Sequence, residues 1–550
     1  MRVAIALCLL LSMPCSAAAG VGCQSTEAPD ASSWRTDIEA IRSALQRRHP
    51  DPFHTISRQE LEAGFRQLEG ELSSLSPHEI VVRLQQLVAR VGDAHTYLAL
   101  PTPPHPLAFR GLPVRFELFT EGLYVTEATA ENGRLAGKRV VRLGALSARE
   151  AVDRIRGFVS RDNAATADFL APGRLRIPEV LHGLGIAPHA ERVRLEVEGE
   201  GGSLEVVYLE PLPQAGEPRW EDARDREALL ESLYWRDSES SYWLLSLPDR
   251  QSVYLQLNRT VSDPRRPLAE LAEELARLLA RDAPRRLVID LRRNIGGNWK
   301  EAQPLIRALL ESGRFFTRGR LVLLVGRGTI SAAVVLAQEI ARYTEVVYVG
   351  EPTGSRPNQF GDNEPAVVLP CSQLELAVAS AYFQTGGPYA FQPWIAPDVF
   401  VPPSATNYFA VADPALAAAL EYEVGEPFDD RLRRLAAAGD AGGALELFGH
   451  FDEDERNRFV DVEREIRLLG RELAAAGHAA AAVELLRRNA RRYPERARPL
   501  VELGMALDHA GRRDEARSIW RQARDLVPTD PSLTVVLRER LGATLEELMS

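Results

Sequence analysis

Lysine is almost missing from this sequence: Lys138 and Lys300 are the only two, and arginine carries nearly all the positive charge. Chemistry that needs a lysine amine anywhere after residue 300 is thereby excluded. Cysteine is sparse too. The four present, Cys8, Cys15, Cys23 and Cys371, are too few and too unevenly spread for a disulfide framework. A basic excess is also lacking. The formal net charge of −11 argues against a nucleic-acid partner, since no surplus of cations exists to neutralise phosphates. Nor is any apolar run long enough to span a bilayer.

What is present is ordinary globular composition, 45% hydrophobic and 26% charged over 550 residues, enough chain for three or four domains. The start reads as an export signal over residues 1–19: Arg2, a short apolar run from Val3 to Met13, then Ala17-Ala18-Ala19 for cleavage. The mature protein is therefore expected to be exported, periplasmic or extracellular, and soluble. Membrane attachment is expected only if Cys23 is acylated, and the Gly20-Val21-Gly22 before it lacks the leucine of a lipoprotein signal. With Cys8 and Cys15 removed, Cys371 is expected to stand alone or nearly so.

The pattern beyond the signal predicts a multidomain α/β protein. Residues 31–100 carry helical spacing, with Trp34, Ile38, Ile41 and Leu45 on one face. Residues 108–215 show short alternating runs such as LPVRFELF and SLEVVYLEP, separated by glycine and charged turns, as a β domain would. A polar stretch over 216–240 reads as a linker. From 241 to 425 strands and helices alternate, which favours parallel strands. Residues 430–550 are helical, and an internal period of 34 residues relates Gly470 to Gly504, Gly477 to Gly511, Ala482 to Ala516 and Pro494 to Pro528. That period is the signature of tetratricopeptide repeats, with two outcomes open: a helical cap, or a surface for a protein partner.

Two turns could carry chemistry. DLRRNIGGN, Asp290 to Asn298, leaves an apolar strand and enters a helix through Gly296-Gly297, whose amides can face a cleft. Asp290 and Asn294 are expected to brace that turn. GRGTISAAVVLAQEI, Gly326 to Ile340, places Ser331 between the buried run LVLLV and an alanine-rich helix. A serine there caps a helix in one reading. In the other it is a nucleophile whose oxyanion the following amides stabilise, and it then needs a base.

GDAHT (Gly92 to Thr96), DLRRNIGG and GTISAA, followed by GEPTG with Glu351, resemble in that order the tail-specific, or C-terminal processing, serine peptidases. The closer resemblance is to the branch that includes tricorn protease and its core-like domains. It spans about residues 34 to 425. It implies a PDZ-like domain over 108–215, with an insertion near 160–188, and a crotonase-like peptidase core over 241–425. It further implies Ser331 as nucleophile, His95 as general base, and an oxyanion hole from the amides of Gly296 or Gly297 and Ala332. The implied activity is endopeptidase hydrolysis of peptides or proteins with no metal or cofactor. The family's other branch uses a lysine about two dozen residues after the serine; here Ser355 and Arg356 stand near that place. Arginine cannot accept a proton, whereas histidine can. His54 is a lesser candidate, with a capping or surface role as the alternative. The sequence departs from tricorn protease at Ala94, where that enzyme has serine, and before Asp398, where it has an acid. The group that orients His95 must then come from elsewhere: Asp93, Glu351, Asp362 and Glu364 are the candidates. An inactive scaffold that binds peptides or small ligands, and an adaptor acting through the repeats, remain alternatives.

Overall fold

The computed structural model describes residues 29–213, 218–363, 365–387, 392–530, 532–533 and 535–550. The expected signal, Cys23 and Glu364 lie outside them. The chain divides into two compact units, one of residues up to 396 with 401–421, the other of 397–400 with 422–550. Among the described residues no helix is long and apolar enough to cross a membrane.

The first unit opens with three helices, Ala31–Arg48, Arg58–Glu71 and Pro77–Ala89. Their starts are set locally: Asp30 caps the first, and Ser57 with Glu60 and Ser76 with Glu79 form capping boxes. The predicted apolar face is buried, but not by helices alone. Leu369, Leu374, Leu376 and Val378 complete its core from far along the chain. They belong to a small ladder in which Tyr97–Leu98 pairs with Glu375–Ala377. That pairing closes GDAHT onto the rest of the unit. Asp37 ties the same corner by accepting from the amides of Cys371 and Ser372 at 2.9 and 2.8 Å. Cys371, expected to stand alone or nearly so, is disulfide-bonded. Its partner lies outside the described residues.

Two antiparallel sheets follow. One joins Val114–Phe119, Gly122–Thr129 and Trp220–Asp222; the other orders Leu146–Ser147, Val140–Leu143, Val193–Glu198 and Leu204–Leu209. The stretch 216–240 is therefore not a plain linker. Trp220–Asp222 supplies an edge strand, Arg226–Glu231 is helical, and Arg224 stacks on Trp235 and Tyr408. Residues 160–188, the expected insertion, are folded into the β region. They form helices Ala164–Leu175 and Pro178–Gly183, whose Ala167, Ala171, Leu175, Val180 and Leu181 are buried in the core of the β region. Asn163 caps the first of these helices and donates through Nδ2 to the carbonyls of Thr353 and Pro393.

The alternating stretch is an α/β layer. Strands Ser252–Leu257, Arg286–Asp290, Leu321–Val325 and Val346–Gly350 run parallel in that order, with Tyr242–Leu247 antiparallel beside the first. The middle strands are buried on both faces, which is why they read as unbroken apolar runs. Helices Leu268–Asp282, Gln303–Glu311 and Ala332–Tyr343 cover them. Register sets Asp290 beside Leu324 and Val325 beside Gly350. The DLRRN and GRGTIS turns thus leave the sheet together at its carboxyl edge, where open α/β sheets place their ligands.

In the second unit, the helix pair Glu463–Ala475 and Ala479–Arg492 is followed 34 residues on by Ala497–His509 and Arg513–Leu526. The repeat has a steric cause. A Cβ at Gly470 would fall 2.5 Å from Leu486, and one at Gly504 would fall 2.2 Å from the Trp520 ring nitrogen. Glycine at those crossings is what lets the second helix of each pair seat its large side chain.

Candidate active site

Ser331 is held in a backbone conformation that side-chain-bearing residues avoid, φ +57° and ψ −124°. Such strain persists only where the surroundings over-determine it, and costs roughly 1–3 kcal/mol. Here they do. The Ser331 amide donates to Ser355 Oγ at 3.0 Å, and its carbonyl accepts from Gln359 Nε2 at 3.1 Å. Thr329 Oγ1 donates to the Leu291 carbonyl, the Ile330 amide donates to the Asn294 carbonyl, and the Gly354 amide donates to the Thr329 carbonyl. The turn is a sharp strand-to-helix elbow that lifts the hydroxyl out of the sheet edge. Ser331 precedes its helix without capping it through its side chain.

The hydroxyl instead meets His95, with Oγ 2.9 Å from Nε2. The His95 backbone is fixed from both sides: its amide donates to Asp93 Oδ1 at 2.8 Å, and its carbonyl accepts from Asn363 Nδ2 at 3.1 Å. For the serine to donate, the neutral ring must carry its proton on Nδ1. That nitrogen is buried and has no hydrogen-bond partner among the described residues.

None of the three candidate orienters among the described residues engages Nδ1. Asp93 spends Oδ2 on His49 Nε2 at 3.0 Å and Oδ1 on the backbone amide of His95. Burial works to raise its carboxyl, but the hydrogen bond and charge of His49, with His95 adding, hold it below the usual range. Glu351 forms a two-pronged pair with Arg327, Nε to Oε1 at 2.9 Å and Nη2 to Oε1 at 2.8 Å. Asp362 sits at φ +54°, its carbonyl accepting from Ser380. Glu364 is outside the described residues. His54 stands apart from Ser331: its Nδ1 pairs with the Asp51 carbonyl at 2.8 Å and its ring stacks beside His49 and Phe360.

The acid that sequence reasoning missed is Asp162. It is buried, accepts from the Ala94 amide at 3.0 Å through Oδ1, and leaves Oδ2 without a partner. Burial pushes its carboxyl pKa up, Asp93 adds to that, and the His95 ring and Ser355 hydroxyl oppose it. His95 thus has one buried carboxylate in electrostatic range whose outer oxygen is unused. The only local signal was the helix cap next door at Asn163, which reads as structure. Ser355 and Arg356, near the place of the other branch's lysine, instead brace the site: Ser355 holds the Ser331 amide, and Arg356 Nε donates to the Asp162 carbonyl.

The glycine pair lies against the serine. A side chain at Gly296 (φ +114°) would come 2.8 Å from Ser331 Cβ and 3.2 Å from the Ala332 nitrogen, so glycine keeps that space open. The Gly296 amide is not free for an oxyanion, because it donates to Asn294 Oδ1 at 3.0 Å. Asn294 is itself locked to Thr260. Among the described residues no partner takes the amides of Gly297 or Ala332, which leaves those two donors for a developing negative charge. Among the described residues no three His, Cys, Asp or Glu side chains group as metal ligands.

No protein-family model matches the sequence, and no curated protein resembles it closely enough in sequence. Similar solved structures exist. Mature CPAF complexed with lactacystin aligns at a TM-score of 0.49 and 11% identity, over 71% of this chain and 100% of that one. The photosystem II D1 C-terminal processing protease aligns at 0.33 and 16%, over 67% and 93%. A lipoprotein from Streptococcus agalactiae aligns at 0.30 and 12%, over 70% and 96%. At such scores these likenesses carry no weight of their own, and what the site can do is read from its geometry.

Proposed function

We propose that this protein is an exported serine endopeptidase that hydrolyses peptide bonds in peptide or protein substrates. The observation that supports this best is the 2.9 Å contact between Ser331 Oγ and His95 Nε2 on a strained elbow. Ser331 attacks the scissile carbonyl as His95 takes its proton, and the oxyanion lies against the amides of Gly297 and Ala332. The imidazolium then returns the proton to the leaving amine. Water, activated by the same ring, frees the acyl group from Ser331. Asp162 is proposed as the counter-charge for the imidazolium, in the role the sequence left open. No step calls on a metal or cofactor.

A second reading, a scaffold that binds peptides without cleaving them, is favoured by one observation: His95 Nδ1 has no acceptor among the described residues. The experiment that separates the two is incubation of the purified protein with an unfolded protein substrate in H₂¹⁸O and chelator, followed by mass spectrometry. The peptidase reading expects new fragments whose fresh carboxyl ends carry the label. Intact substrate after prolonged incubation at pH 7–9 contradicts it and leaves the scaffold.

A further inference from the structure

A second cavity, of about 590 Å³, adjoins the proposed site and is lined by seven arginines against three glutamates. Its wall includes Ile295, which immediately precedes the glycine pair, and Phe169, whose ring would lie 3.1 Å from a Cβ at Gly328 in the serine loop. Three guanidiniums in it stand out. Arg224 is 9% exposed, pairs with Asp222 through Nη2 and Nε, and has a buried Nη1 with no partner. Arg176 and Arg115 each bury an unpartnered Nε. Arg115 has Glu127 at 2.9 Å, whereas the Arg176 side chain reaches only the Leu112 carbonyl, at 3.4 Å.

These planar groups are already clamped on aromatic faces. Arg224 lies 4.2 Å from the Trp235 ring centre and 4.3 Å from that of Tyr408; Arg115 and Arg176 lie over Trp220 at 4.4 and 5.3 Å. Stacking fixes a guanidinium while leaving its edge N–H groups to bind, the arrangement suited to two-pronged carboxylate recognition. Unmade hydrogen bonds on buried cations are costly. The Arg176 charge is also poorly compensated: burial first, then the neighbouring Arg115, push its pKa down to about 10.

We propose that this cavity is a substrate subsite that binds the side-chain carboxylate of an Asp or Glu in the peptide. The proposal deepens the peptidase reading and rests on it for the word substrate. Its test uses matched peptide pairs with Glu or Gln at successive positions around the cleaved bond, all with an amidated C-terminus. For the wild type, kcat/KM is expected to favour Glu over Gln roughly 10- to 100-fold at one position. In Arg176→Gln, and separately in Arg224→Gln, that ratio is expected to fall towards one. Because it is a ratio within each variant, partial unfolding cancels from it. Equal turnover of all members by the wild type, or an unchanged ratio in both variants, overturns the subsite while the peptidase stands. A parallel arm measures binding of fluorescent Glu and Gln peptides to Ser331→Ala. Arginine-dependent preference for Glu there, with no cleavage by the wild type, keeps the carboxylate site and overturns the peptidase.

Discussion

Ser331→Ala and His95→Ala are each expected to lower kcat/KM by about 10⁴- to 10⁶-fold, and the double variant by no more than either alone. The two side chains share a single hydrogen bond and are proposed to act as one unit. Removing the hydroxyl removes the nucleophile, and removing the ring leaves an alcohol that water cannot activate well. Residual turnover above the uncatalysed rate is expected from the Gly297 and Ala332 amides, which neither change touches. Both changes should leave thermal unfolding within a few degrees of the wild type. The Ser331 backbone is held by Ser355 and Gln359, and the His95 backbone by Asp93 and Asn363, whatever the side chains are. Steady-state kinetics on one fluorogenic peptide, with circular-dichroism melts as control, checks this. Losses that multiply in the double variant would mean that the two residues act independently.

Asp162→Asn is expected to do two opposite things. The carboxylate is buried with an unused oxygen, and burial raises its pKa in the folded protein. A carboxyl raised on folding favours the folded state fully only while protonated. That contribution is lost as pH climbs from the ordinary carboxylate range, about 4, through the raised value. Asparagine keeps an oxygen for the Ala94 amide and carries no charge. The variant should therefore melt a few degrees higher than the wild type at pH 7–8, with the gain shrinking towards pH 4. Its kcat should nevertheless fall by roughly 10²- to 10⁴-fold with KM little changed, because the imidazolium formed in the reaction loses its buried counter-charge. Melts and kinetics over pH 4–9 read both effects. Unchanged kcat would remove Asp162 from the mechanism. A lower melting temperature at pH 7–8 would show that its charge is compensated in the folded state.

Local pattern carried the reading of the fold some distance. LVLLV and LVID read as buried strands because β-branched and leucine side chains filled both faces, and the 34-residue period reported where Gly470 and Gly504 admit Leu486 and Trp520. Nothing in the sequence of 160–188 shows that Ala167, Ala171 and Leu175 pack into a core built from distant strands. The same blindness hid Asp162, whose relation to His95 exists only once Asn163 has stitched that helix to Thr353. Motif order singled out Ser331 and His95, which lie 236 positions apart and meet in the structure. Motif proximity was a poor guide to partners, however. Glu351 went to Arg327, and the Gly296 amide went to Asn294, because a carboxylate or amide pairs with what the folded chain brings to it. Cys371, expected alone or nearly so, is disulfide-bonded.

The most direct test of the central claim is labelling of the folded wild-type protein by a fluorophosphonate, with peptide mapping of the adduct. Activation of Ser331 by His95 predicts one adduct, on Ser331, that forms at pH 8 and disappears in His95→Ala. Wild-type protein that stays unlabelled, or a Ser331 adduct that forms equally fast without the imidazole, would contradict it.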